Sequence, residues 1–387
     1  MKTATLSDAE LLGRLVSFDS TSSRSNIPIA DFICDYITHP EIIIARDFNE
    51  DRTKVNVVAR LRGTGHETDG KKGLTLSGHL DTVPAAEPDW TTDPFTLERT
   101  EIAYRGRGVC DMKGFDALAI NTLRRAADDP PRFPLGLILS FDEEPGILGA
   151  QHLARTWDDP FALPIPTIVG EPTCLKAVRM HKGHLKMRVT FTGKPAHTAY
   201  AHLGRNAIEP AGTVIGALNR LRVELALQTS DTSRFFPESP AASLNITMIS
   251  GGTATNVVPD RCTLDFGIRL LPDMNPQEFA RKVREAIHAL GDLGPHSPEI
   301  TGISAPFLTG EDTPLYQTLC KLLAQSATEA VSYASDAGAL QQLGLQCVLF
   351  GPGSIEAAHQ ANEWLSREEF DAARGILDRL VQQFCRT

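Results

Sequence analysis

No stretch of this 387-residue chain approaches the roughly 18 consecutive apolar residues of a membrane span, so no membrane association is expected. No run of Lys or Arg appears either, and the formal net charge is −10. Neutralising a phosphate backbone needs a basic surface, which argues against nucleic acid as a partner. The seven cysteines (Cys34, Cys110, Cys174, Cys262, Cys320, Cys347 and Cys385) are scattered, odd in number and without a CxxC pair. That pattern disfavours a disulfide framework and a thiolate zinc site, and reads as reduced thiols in the cytoplasm, mostly core filler. Residues 1–10 lack a basic start followed by an apolar run, so no signal peptide is expected. Internal repeats and low-complexity tracts are missing as well.

What is present is the balance of a soluble globular protein, 42% hydrophobic and 22% charged. The length exceeds one ordinary domain, so two are expected. The excess of acid mildly favours a cationic or zwitterionic ligand.

The chain opens with a helix signalled by a capping box, Ser7-Asp8-Ala9-Glu10, with Leu6 before it as the staple. Helical and strand-like stretches then alternate: helix 28–37, strands 55–61 and 74–77, helix 112–126, strand 135–141, helix 146–157 and strand 167–169. Such alternation predicts βαβ units and a largely parallel sheet. The pattern changes near residue 180. Residues 184–192 alternate like a half-exposed strand. The helix over 206–223 carries an apolar stripe of Ile208, Ala211, Val214, Ile215, Leu218 and Leu221. Strands 244–249 and 262–270 and a helix over 275–290 follow, suggesting a small antiparallel-rich domain. After Gly294-Pro295 the first pattern returns, with helix 314–325, strand 347–350 and a last helix opened by a second capping box, Ser366-Arg367-Glu368-Glu369. That helix is expected to bury Phe370, Ile376, Leu377, Leu380 and Phe384. The fold class is therefore α/β: a discontinuous catalytic domain (1–179 and 292–387) with a mostly parallel sheet, and an inserted α+β, βαββαβ-like lid domain (180–291).

Loops after predicted strands carry the chemistry, and in open α/β sheets ligands bind at the carboxyl ends of strands. In Ser77-Gly78-His79-Leu80-Asp81-Thr82-Val83-Pro84, His79 and Asp81 share one side of an extended chain, which suits a zinc ligand and a carboxylate beside it, or a plain loop pair. In Gly106-Arg107-Gly108-Val109-Cys110-Asp111, Asp111 stands before a helix, as an N-cap or as a carboxylate bridging two metals. Asp142-Glu143-Glu144 ends an apolar strand, and adjacent side chains there point in opposite directions. One acid can ligate a metal while the other takes a proton from metal-bound water. Glu171 ends another strand, and His359 follows the last one. Two histidines, three carboxylates and a spare Glu suit a co-catalytic zinc pair with ions about 3.5–4 Å apart.

The sequence resembles the di-zinc amidohydrolases that include aminoacylase, succinyl-diaminopimelate desuccinylase and acetylornithine deacetylase. The resemblance spans nearly the whole chain and is strong at SGHLDTVP, GRGVCDMKG, FDEEPG, GEPT and GPGS…AHQ. The runs Trp90-Thr91-Thr92-Asp93-Pro94-Phe95 and His181-Lys182-Gly183-His184 are similar to the acetylornithine deacetylases in particular. The resemblance implies two Zn²⁺, with Co²⁺ able to substitute. His79 and Glu171 would hold one ion, Glu144 and His359 the other, and Asp111 would bridge them. Asp81 would orient His79, and Glu143 would be the general base. His197 would reach a partner subunit's site and steady an oxyanion, in a homodimer formed through the lid. Arg269 and Asn256 would contact the substrate, Arg269 at its carboxylate, with Lys182 and Gly353 as further contacts. Asp336, in Tyr333-Ala334-Ser335-Asp336-Ala337-Gly338, stands where some acetylornithine deacetylases carry a Thr-Glu-Ala version, and is expected at a side-chain ammonium. The implied substrate is an N-acyl amino acid, first N²-acetyl-L-ornithine on the route to arginine. Acetylcitrulline, succinyl-diaminopimelate or a dipeptide are the alternatives.

Overall fold

The apolar runs Leu74–His79 and Leu135–Ser140 form strands buried along their whole length, as strands covered on both faces are. A computed structural model describes residues 5–65, 71–158 and 161–387; residues 1–4, part of the N-terminal reading, lie outside it. The chain divides into two units. One comprises Met1–Arg179, Thr309–Glu329 and Ser335–Thr387, the other Met180–Leu308 and Ala330–Ala334.

In the first unit the central sheet runs in the order Ile42–Phe48, Val55–Leu61, Leu135–Ser140, Leu74–His79, Pro166–Val169, Gln346–Leu349. The last four strands run parallel to one another, while Val55–Leu61 pairs antiparallel with both Ile42–Phe48 and Leu135–Ser140. All four parallel strands therefore end at one edge. The core on this sheet gathers the helices Asp8–Val16, Gly114–Asp128 and Arg367–Val381. A separate three-stranded sheet joins Trp364–Ser366, Ala103–Arg105 and Glu98–Arg99.

The two expected capping boxes differ. At Ser7 both halves form: its Oγ accepts the Glu10 N–H at 3.3 Å and its own N–H reaches the Glu10 carboxylate at 2.8 Å. At the last helix Ser366 Oγ accepts the Glu369 N–H at 3.3 Å, but the Glu369 carboxylate turns to the Gly353 N–H at 2.6 Å. The second box is half a cap, and its acid ties down a distant loop instead. Phe384, expected in the core, is half-buried, because the helix Arg367–Val381 ends before it in a wider turn.

The second unit has the order βαββαβ: strand Gly183–Thr192, helix Ile208–Ala226, strands Ser243–Gly251 and Arg261–Leu270, helix Pro276–His288 and strand His296–Ser304. Its sheet is antiparallel throughout, with Ser243–Gly251 at one edge. Along Gly183–Thr192 every second residue is buried, placing Leu185, Met187, Val189 and Phe191 in this unit's own core. The helical stripe buries Ala211, Val214 and Leu218, whereas Ile208 is 38% exposed. The sequence boundary at 292 falls before His296–Ser304, which pairs with Gly183–Thr192 and carries this unit on to Leu308. Gly294-Pro295 is the turn into that strand, not a linker. Among the described residues no helix is long and apolar enough to cross a membrane.

Leu137 is fully buried in the middle of the strand Leu135–Ser140. Leu137→Ala is expected to cost about 2–5 kcal/mol of stability, read as a lower urea midpoint with an unchanged slope.

Candidate metal centre

His79 is the last residue of its strand and only 1% exposed. Its Nε2 lies 3.0 Å from Asp111 Oδ1, while the Nε2 of His359 lies 3.3 Å from Asp111 Oδ2. One carboxylate thus addresses two imidazoles, one with each oxygen. Glu144 Oε1 is 3.0 Å from His359 Nε2. The donor atoms of His79, Asp111 and Glu171 lie within 4.8 Å of one another, and so do those of Asp111, Glu144 and His359. The two groups share Asp111.

Four of these side chains sit at or just beyond the ends of the parallel strands. Asp111 does not: it follows Ala103–Arg105, a strand of the small separate sheet, so the expectation of one common sheet edge is corrected on this point. Asp111 is not an N-cap either. It sits in an extended conformation (φ −125°, ψ 92°) before the helix Gly114–Asp128, with a cis peptide bond to Met112. Released from capping, its carboxylate turns to the histidines.

The electrostatics are those of crowded acid. Burial first, then the Glu171 charge, pushes the Glu143 carboxyl well above its usual range. Burial, then Asp111, does the same to Glu171. Glu171 Oε1 is buried and makes no hydrogen bond. Bonds to Asp111 and Glu144 hold His359 up at about 10. An orphaned carboxylate oxygen among nitrogen and oxygen donors, in a site where unpaired charge is costly, fits divalent cations of the zinc type.

Further polar groups hold these loops. Asp81 Oδ1 accepts the Glu143 N–H at 2.9 Å, and its Oδ2 accepts the Glu144 N–H at 3.2 Å and Ser22 Oγ at 2.7 Å. His79 Nδ1 is nearer the Asp81 carbonyl (3.1 Å) than the carboxylate (3.5 Å). Asp81 therefore ties down the Glu143–Glu144 loop, a contact that the His-x-Asp spacing does not reveal. Lys54 Nζ bonds Asp142 Oδ1 at 2.5 Å and the Ser22 carbonyl at 2.6 Å. The sequence reading missed Lys54, because a lone lysine before a strand carries no signal.

Two expected substrate contacts, Lys182 and Gly353, have their polar groups engaged elsewhere, whereas Asp336 is engaged through one oxygen only, its Oδ1 being buried without a hydrogen bond. Lys182 is 2% exposed and its ammonium bonds the Ser239 carbonyl, Ser239 Oγ and the Ala241 carbonyl. All three of its donors are used. The Gly353 N–H goes to Glu369 and its carbonyl to the Cys174 N–H at 2.7 Å. Asp336 is 2% exposed, with Oδ2 on Ser140 Oγ at 2.5 Å, and burial raises its carboxyl to about 6. It stands among the acids that press on Glu143 and Glu171. Lys182 and Gly353 thus support the fold internally.

The remaining expected residues lie in the second unit. His197 is exposed; its Nδ1 accepts the Ala199 N–H at 3.0 Å, which leaves Nε2 as the outward donor. The Asn256 carbonyl accepts the Thr198 N–H at 3.0 Å, and Val257 bridges to His197, so Asn256 and His197 are neighbours. Arg269 is half-buried opposite His184 across two paired strands. Burial, then the Arg269 charge, holds His184 down at about 4. The unfolded chain then protonates His184 first as the pH falls from 6.5 toward about 4, and stability is lost across that window. An NMR titration of His184 is expected near 4, and Arg269→Ala should raise it while burial keeps it below the ordinary 6.5. An unchanged midpoint would remove Arg269 from this environment.

Residues 75–383 match Peptidase family M20/M25/M40. The chain is 36% identical over 342 residues to an acetylornithine deacetylase of Edwardsiella ictaluri, covering 86% of this chain and 84% of that protein. In structure it is similar to an M20 family metallo-carboxypeptidase from Sulfolobus solfataricus, with a TM-score of 0.76 at 15% identity over 98% of this chain and 99% of that one. It is similar also to a dinuclear metal-binding peptidase of the M20 family from Bacillus subtilis, with a TM-score of 0.65 at 16% identity over 96% and 97%. At such identities the structural likeness speaks for the fold, while the sequence matches speak for the family. The chain belongs to peptidase family M20/M25/M40 and is an amide-bond hydrolase of that family.

Proposed function

We propose that this hydrolase binds two zinc ions and removes the acetyl group from N²-acetyl-L-ornithine, giving ornithine and acetate. The observation that carries the two-ion reading is the pair of donor groups sharing Asp111. The substrate reading is supported by the acetylornithine deacetylase relative, matched over most of both chains. Such a reaction serves arginine biosynthesis in the cytoplasm.

In this reading His79 and Glu171 would hold one ion, Glu144 and His359 the other, and Asp111 would serve both. Bound zinc would polarise the scissile carbonyl and acidify a water, and cobalt could take its place. Glu143 removes a proton from the attacking water as its oxygen bonds the acyl carbon. As the C–N bond breaks, Glu143 returns that proton to the leaving nitrogen. Arg269 binds the substrate carboxylate, Asn256 also contacts the substrate, and His197 of a partner subunit donates Nε2–H to the oxyanion. A homodimer through the second unit is supported by its exposed apolar residues. Leu227 is 81% exposed, Val223 60%, Met248 59% and Ile249 53%, the last two on the edge strand Ser243–Gly251.

Glu143→Gln should keep two zinc ions per chain by elemental analysis yet lose at least about 100-fold in kcat. Retained turnover would remove Glu143 as the base. In a hydrolysis panel of N-acetyl, N-succinyl and N-formyl amino acids and dipeptides, acetylornithine should give the highest kcat/KM. A preference for succinyl-diaminopimelate, acetylcitrulline or a dipeptide would overturn the substrate and leave the chemistry in place.

A further inference from the structure

Glu363 is 1% exposed, and its carboxylate bonds Arg107 and the backbone of Gly108, Cys110 and Asp111. Its four acceptor positions are all used. Oε1 accepts the backbone N–H groups of Cys110 (2.9 Å) and Asp111 (3.1 Å). Oε2 accepts the Gly108 N–H (2.9 Å) and Arg107 Nη1 (3.0 Å). One buried side chain thus grips the backbone on both sides of the turn that presents Asp111.

Its partner Arg107 is fully buried and reaches the other loops. Nη1 also bonds the Gln360 carbonyl at 3.3 Å, the residue after His359. Nη2 bonds the Pro84 carbonyl at 3.0 Å, on the loop that begins at His79. Glu87 at 2.6 Å and the Trp90 ring, 5.1 Å from the guanidinium, hold its far side. Three loops bearing His79, Asp111 and His359 are therefore joined at one ion pair. A buried pair of this kind is a poor source of stability, since desolvation offsets most of the attraction. Its geometric effect is larger: a planar fork and a carboxylate with every position filled leave the loops one arrangement.

We propose that Glu363 and Arg107 are positioning residues for the metal centre, acting through the Asp111 backbone to fix where that carboxylate meets both ions. The proposal rests on the two-ion reading above. Groups that orient ligands from behind change metal affinity or activity by about 10–100-fold when removed. Glu363→Gln keeps the shape, but the amide nitrogen cannot accept, so two of the four donors lose their partner. Glu363→Asp keeps the charge on a shorter arm, and Arg107→Lys keeps the charge without the fork.

The metal-free full-length chain and these variants are titrated with zinc by calorimetry, the visible spectrum of the cobalt-loaded forms is recorded, and kcat and KM are measured on one N-acetyl amino acid. Glu363→Gln should melt cooperatively, bind zinc about 10–100-fold more weakly, shift the cobalt spectrum and lose kcat far more than KM changes. Glu363→Asp should recover part of the affinity. If Glu363→Gln does not fold, Arg107→Lys carries the same expectations. A folded variant that binds two zinc ions with the parent's affinity and cobalt spectrum overturns the proposal, whatever its kcat. A parent chain that binds no metal sinks the two-ion reading instead, so the two failures are distinguishable.

Discussion

Negative charge crowded where water hardly reaches is the constraint on which the first unit is built. Asp111, Glu171 and Asp336 are almost wholly buried, and Glu143 and Glu144 stand beside them. Carboxylates in such a place must be neutralised, protonated or bonded to donors. Two imidazoles serve part of that need. The rest of the molecule is organised to keep the acids close despite their repulsion. The parallel strands bring His79, Glu144, Glu171 and His359 toward one edge, and strained backbone at Asp142 (φ 48°) and Ile147 (φ 63°) lets the loop after Leu135–Ser140 turn these two side chains inward.

Behind these side chains lies a layer of polar ties. Asp81 caps the backbone of Glu143 and Glu144, Lys54 holds Asp142, Glu369 holds Gly353, and the Arg107–Glu363 pair joins three loops. The sheet supplies position to within a loop's reach, and these bonds supply orientation. Both are needed where a site must hold its shape against charge repulsion.

The sequence made much of this legible. Periodicity of two over 184–192 marks a one-sided strand, and unbroken apolar runs mark the buried parallel ones, so the α/β class and the inserted unit's first five elements, βαββα, could be read directly, while its last strand, His296–Ser304, lies beyond the sequence boundary at 292. The acids and histidines after those runs pointed to the five side chains that meet in the fold. The rest was hidden for physical reasons. Ala103–Arg105 is too short to show a period, so the separate origin of Asp111 could not be read. Residue type does not say which atoms are already bonded, and so Lys182 and Gly353 looked available when their polar groups are committed to internal bonds. Glu363 carries no motif of its own in the sequence; only the folded chain brings it under the Gly108–Asp111 turn.

The central claim is that five side chains hold two metal ions around one shared carboxylate. Anomalous diffraction at the zinc edge from crystals of the zinc-loaded protein tests it most directly. The account predicts two peaks about 3.5–4 Å apart, one beside His79 and Glu171, the other beside Glu144 and His359, with Asp111 between them. A single peak, or two peaks that do not share Asp111, would contradict it.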